Sequence, residues 1–130
     1  MIERLWLGWA GLSGALAVAA DAVARHLFAG DAHRLELAAT GARYGLVHSV
    51  ALCALAIFAA RWRSGPGRRW LMAGGWAFAG GLGLFCGSLY LLALGAPSAV
   101  AAATPMGGIL FIAGWAALFV MALVMRRPAE

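Results

Sequence analysis

From Trp70 to Met125 the chain carries no charged residue. Crossing the hydrocarbon core of a bilayer takes about 20 apolar residues in a helix, so this run alone predicts two spanning helices joined by an uncharged turn. Two more apolar runs come before it. One extends from Leu5 to about Phe28 and is uncharged up to Asp21; the other is uncharged from Tyr44 to Ala60. The expected fold is all-α, a bundle of four transmembrane helices over about 5–28, 35–60, 70–94 and 105–125, in a single integral membrane domain over residues 1–130. Composition agrees: 64% of residues are hydrophobic and 12% charged, against about a quarter charged in soluble domains.

The ends of the runs set orientation. All basic residues are arginines, and the formal charge is +5. Arg4, Arg61, Arg63, Arg68, Arg69, Arg126 and Arg127 fall on one side, and Arg25, Arg34 and Arg43 on the other. Arginine-rich short loops stay in the cytoplasm, so both termini are expected there, in a cell (inner) membrane, with Trp6, Trp9, Trp62 and Trp70 as an interfacial belt. These arginines terminate apolar runs instead of forming a basic stripe, so nucleic acid is not an expected partner. The start resembles a secretory signal, but Glu3 and the length of the apolar run favour a retained helix. Leu35, Ala38, Ala39 and Ala42 keep helical spacing behind an amino-terminal cap at Asp31, which predicts a short amphipathic lead-in between helices one and two. "RWRSGPGRR" is the one true linker.

Helices in lipid associate through small residues that let backbones approach. Gly75, Ala79, Gly83 and Gly87 recur every four residues on helix three. Gly11, Gly14 and Ala15 of helix one are placed to receive them, or the ridge packs on a second copy.

Ionisable groups at membrane depth are functional candidates by default. Asp21 and Arg25 have the spacing of a helical ion pair, Tyr44 and His48 repeat it on helix two, and His26 ends helix one. In an antiparallel pair these five residues reach similar depth. Ser88, Tyr90 and Thr104 fall near the same outer end, leaving the inner two-thirds with little beyond Ser13 and Cys53. A proton or ion relay needs polar groups along its whole path, so a single chain makes a poor conduit. His26 and His48 match no metal-ligand spacing, Cys53 and Cys86 read as small apolar residues, and His33 as a solvated loop residue. No cofactor is implied, and no nucleophile elbow, metalloprotease motif or phosphate loop is present. At the last turn, Gly95 is placed as a left-handed cap, Thr104 as the amino-terminal cap of helix four and Pro105 at its first position.

"GALAVA" before His26, "RYGLVH" with Tyr44 and His48, "FCGSLYLLALG" and "TPMGGILFIAGW" resemble the domain of unknown function 423 family, also called the transmembrane protein 256-like family. The likeness spans nearly the whole chain. It implies a small four-helix membrane protein without an established activity. Where that family commonly has glycine, this chain has Asp21 and Ala24; Arg25 stands at a usual alanine, and the Tyr-Gln pair reads Tyr44-Gly45. Asp21 and Arg25 are thus expected to be particular to this chain, while His26, Tyr44, His48, Ser88 and Tyr90 fit the pattern.

Two functions follow as expectations. The first is a non-enzymatic structural or accessory component, partnered by the bilayer and by a second copy or another membrane protein. The alternative is a small permease, channel or ligand-binding protein using the outer polar cluster. An enzyme acting on lipid or quinone has only that cluster in its favour.

Overall fold

The computed structural model describes residues 1–125, so the placement of Arg126 and Arg127 lies outside the described residues. Helix α1 spans Ile2–Leu27, α2 Ala32–Arg61, α3 Arg68–Gly81, α4 Gly87–Ala93 and α5 Ala103–Val124. A π-helical turn, Leu82–Cys86, fuses α3 to α4, and a 3₁₀ turn, Ser98–Ala102, leads into α5. The result is four rods, each long and apolar enough to cross a membrane. The end carrying Ile2, Arg61, Arg68 and Val124 is called the terminal end below.

Local chemistry sets the boundaries. Asp31 caps α2 by accepting from the Arg34 backbone N–H at 3.0 Å. The lead-in is helical as its spacing predicts, yet it is no separate helix: it forms the first turns of α2, because no glycine or proline interrupts the run between Asp31 and Thr40. At the far end of α4, Gly95 takes a φ of 94°. The Ala96 N–H then reaches the Leu91 carbonyl at 2.9 Å and the Gly95 N–H the Leu92 carbonyl at 3.0 Å, closing the orphan carbonyls in a Schellman motif. Thr104 and Pro105 are two residues further in than expected. The 3₁₀ turn runs straight into α5, so Ala102 is the capping position and Pro105 sits in the first turn, where its missing N–H still breaks no bond. On the terminal side, Arg68 donates to the carbonyls of Ala59 and Trp62 at 3.2 and 3.0 Å, capping α2 from the linker.

The four rods are unequally engaged. α2 lies against both α1 and α3, and α3 against α5. Trp6, Leu52, Leu71 and Phe78 are the largest fully buried side chains. A smaller cluster of Ala24, Ala38 and Ala93 closes the opposite end.

The small-residue ridge works differently from the expectation. Gly75 lies beneath the Trp6 ring and leaves no room for a Cβ. Ala79 offers its carbonyl to the Trp9 indole N–H at 3.0 Å, and a Cβ added at Gly83 would meet the Trp9 ring at 3.8 Å. The ridge therefore seats two indoles instead of the backbone of α1, while a Cβ added at Gly87 or Gly11 would meet nothing within 4 Å and Gly14 faces Ser49. Trp6 accordingly leaves the expected interfacial belt: it is fully buried and meets Trp76 edge-on at 6.0 Å. Backbone-level closeness occurs instead between the third and fourth rods. Gly107 packs on the backbone of Phe85 in the π-helical turn, Gly114 under the Phe78 ring and Gly81 under the Phe111 ring.

Candidate functional site

His48 is the polar residue the fold treats most carefully. It is 4% exposed and stacks on Phe111, with ring centroids 3.6 Å apart and planes within 14°. Phe78 and Trp115 meet its edge at 5.5 and 6.0 Å, and the Tyr44 ring lies parallel at 5.9 Å. The Trp115 indole N–H donates to His48 Nε2 at 3.1 Å. Because Nε2 accepts, the ring proton sits on Nδ1, which donates to the Tyr44 carbonyl at 2.8 Å. Both nitrogens are thus engaged, one within α2 and one across to α5.

Depth corrects the sequence reading. His48 is 13 residues from Arg61, Phe78 10 from Arg68 and Trp115 nine from Val124, which at 1.5 Å per residue places the layer about 14–20 Å from the terminal end. That is mid-bilayer, not the outer third. Ser88 and Tyr90, 20 and 22 residues beyond Arg68, lie roughly 10 Å or more further out. The five residues expected at one depth are therefore split, because α2 begins at Ala32 and carries His48 to its middle.

Ser88 is buried and bonded to Thr104 at 2.7 Å, with its own O–H in reach of the Phe85 carbonyl at 3.0 Å. It joins α4 to the start of α5, beside the π-helical turn, and makes no hydrogen bond to His48. Tyr90 fits into a slot on α2 formed by Gly41 and Gly45, where its ring comes within 2.6 Å of a Cβ added at Gly41 and its hydroxyl within 3.2 Å of one added at Gly45. Its buried hydroxyl has no hydrogen-bond partner among the described residues. Asp21 and Arg25 form the expected ion pair at 3.1–3.2 Å, on an exposed face near the far end of α1. His26 is exposed beside them and touches none of the other candidates by a hydrogen bond. Among the described residues, no three His, Cys, Asp or Glu side chains converge as metal ligands.

The polar candidates thus form three separate devices: a mid-membrane histidine layer, a Ser88–Thr104 tie, and a surface ion pair. Trp115, Phe111 and Phe78 are the partners that sequence reasoning missed. Trp115 carried the readable signal: a mid-span indole N–H needs an acceptor, and His48 is a rare acceptor at that depth.

A family model described as "Protein of unknown function (DUF423)" matches residues 20–108. The inner membrane protein YgdD of Escherichia coli K12, named as a UPF0382 protein, is 35% identical over 98% of this chain and 95% of its own length. A UPF0382 membrane protein of Haemophilus influenzae is 37% identical over 90% of this chain and 92% of its own. The chain belongs to the DUF423 family. A further relative, the UPF0382 membrane protein YwdK of Bacillus subtilis, is 36% identical over 68% of this chain and 70% of its own. No solved structure matches the chain. The stretch that matches the DUF423 model contains His48, the Tyr90 slot, the Ser88–Thr104 tie and Gly107, while Phe111 and Trp115 lie just beyond it. This DUF423 protein is a small integral membrane protein, embedded in the bilayer by four apolar helices.

Proposed function

We propose that this protein is a non-enzymatic component of the cytoplasmic membrane that acts by packing, against itself or another membrane protein, with both termini in the cytoplasm. What supports this reading above all is the state of His48: both ring nitrogens are hydrogen-bonded and the ring is walled by aromatic side chains. A group poised for transport or chemistry keeps a free position toward a cavity or water. His48 instead ties α2 to α5, as Ser88 ties α4 to α5. The arginines Arg4, Arg61, Arg63, Arg68 and Arg69 at the terminal end support the orientation.

The test is reconstitution of the full chain in liposomes. Proton, alkali-cation and anion flux should equal that of empty vesicles, and native mass spectrometry of membranes dissolved without detergent exchange should find the chain in a complex. Ser64→Cys should react with a membrane-impermeant thiol reagent only after inside-out inversion. Flux that disappears in a folded His48→Gln variant, or a chain that stays monomeric without any partner, overturns the proposal.

A further inference from the structure

Helix α1 contributes little to the interior of its own bundle. Trp6, Ala10, Ala17 and Ala24 are its buried residues, all on one face; Trp9 and Gly14 are half-buried beside them, and most of the remaining surface is open. That open surface is not uniform. At 100° per residue it divides into two strips. One carries Leu5, Leu12, Leu16 and Val23, the large side chains expected against lipid tails. The other carries Gly8, Gly11, Ala15, Val18 and Ala22, every one exposed, with spacings that alternate three and four. A Cβ added at Gly8 or Gly11 would meet nothing within 4 Å. Gly11 and Ala15 are among the small residues that the sequence offered to the α3 ridge, and the fold left both unused.

We infer that this strip is the interface between two copies of the chain, related by a two-fold axis along the membrane normal. The inference rests on the packing reading above and names its partner. Two observations converge on a second copy. Alternating three-four spacing is the seam of two helices at a shallow left-handed crossing, and small seam residues let the backbones approach closely in lipid. Copies inserted with the same orientation present α1 to α1 in parallel, so a single strip complements itself. Second, the strip borders a groove between α1 and α2 that is walled by Leu46 and Val50 and floored by Ser49. Ser49 is 5% exposed and its hydroxyl has no partner among the described residues. A polar group held at the base of a lipid-facing groove is one that interhelical contact satisfies.

The experiment compares the two strips. In a Cys53→Ala, Cys86→Ala background with verified helicity, Ala15→Cys and Leu12→Cys are oxidised in native membranes. Disulfides form only where Cα atoms approach within about 7 Å, so Ala15→Cys should give a covalent dimer and Leu12→Cys should not. In parallel, the native-cysteine chain and Gly11→Leu are labelled and counted by single-molecule photobleaching in liposomes across a dilution series. The dimer dissociation constant should rise about tenfold or more in Gly11→Leu, with no change in the thermal melt of the subunit, since the new side chain points into open space. Equal crosslinking from both strips overturns the inference, as does an unchanged dimer fraction in Gly11→Leu; in that second case the packing reading survives through another surface. A native-cysteine chain that is monomeric at every dilution overturns the inference, and if native membranes then yield no partner the packing reading falls with it.

Discussion

The half of the bundle built by α3, the π-helical turn and α5 and the half contributed by α1 use the same small residues for opposite ends. On the α3–α5 side, glycines are covered. Gly114 lies under Phe78, Gly81 under Phe111 and Gly107 against the Phe85 backbone. On α1, Gly8 and Gly11 are open to the surroundings. Glycine in a transmembrane helix is therefore not one signal: it permits close approach, and whether anything approaches is decided by the neighbouring rod. The α3–α5 side encloses polar groups, with His48 of α2 buried against Phe111 and Ser88 of α4 bonded to Thr104, whereas α1 wears its Asp21–Arg25 pair on the surface.

The largest effect should come from filling a covered glycine. Gly107→Val places its Cβ against the Phe85 backbone, within 2.7 Å of its Cα, where no side-chain rotation can relieve it. A loss of about 3 kcal/mol or more of bundle stability is expected, measured by steric trapping in bicelles, while Gly8→Val should change it by less than about 1 kcal/mol. Equal costs at the two positions would break the contrast between the halves.

Next in size is His48→Ala. It removes a ring stacked on Phe111 and leaves the Trp115 indole N–H without its acceptor; about 2–4 kcal/mol is expected. The Trp115 indole proton resonance should move upfield as its hydrogen bond is lost, and His48→Phe should recover part of the stability without restoring that shift. A smaller coupling links α4 to α5. A double-mutant cycle with Ser88→Ala and Thr104→Ala should give about 0.6–1.7 kcal/mol, the range of interhelical hydrogen bonds in membranes. Smallest of all is Asp21→Asn. As an exposed i, i+4 pair with Arg25, it should alter subunit unfolding by about 0.5 kcal/mol or less, so a large loss there would show that α1 is held through its charged end and not through its alanines.

Much of this architecture is legible in the chain because bilayer thickness converts an apolar run directly into a helix. The cap at Asp31, the left-handed Gly95 and the Asp21–Arg25 pair involve residues within five positions of one another, and short-range geometry is readable from spacing. Trp6 was not. Its position near the chain start argues for the membrane interface, yet Gly75, 69 residues away, makes the room that takes the indole into the core. The grouping of Asp21, Arg25, His26, Tyr44, His48, Ser88 and Tyr90 into one cluster failed for a related reason. Depth depends on distance from the helix ends, and His48, near the centre of Ala32–Arg61, sits in the middle of the bilayer while Asp21, Arg25 and His26 lie at the end of α1. The Trp115–His48 bond spans 67 residues, and spacing along the chain says nothing about it.

By itself the sequence determined that this protein lives in a membrane, that four helices cross it, where the Asp31 and Gly95 caps lie and which end carries the arginines, because the hydrocarbon core admits a single kind of backbone for such runs. Only the tertiary structure decided which glycines are covered, which tryptophans are core and which polar groups bond across rods. In lipid, helix faces are nearly equal in apolarity, so the choice among them falls to shape and to a few hydrogen bonds, and both exist only once the rods are side by side.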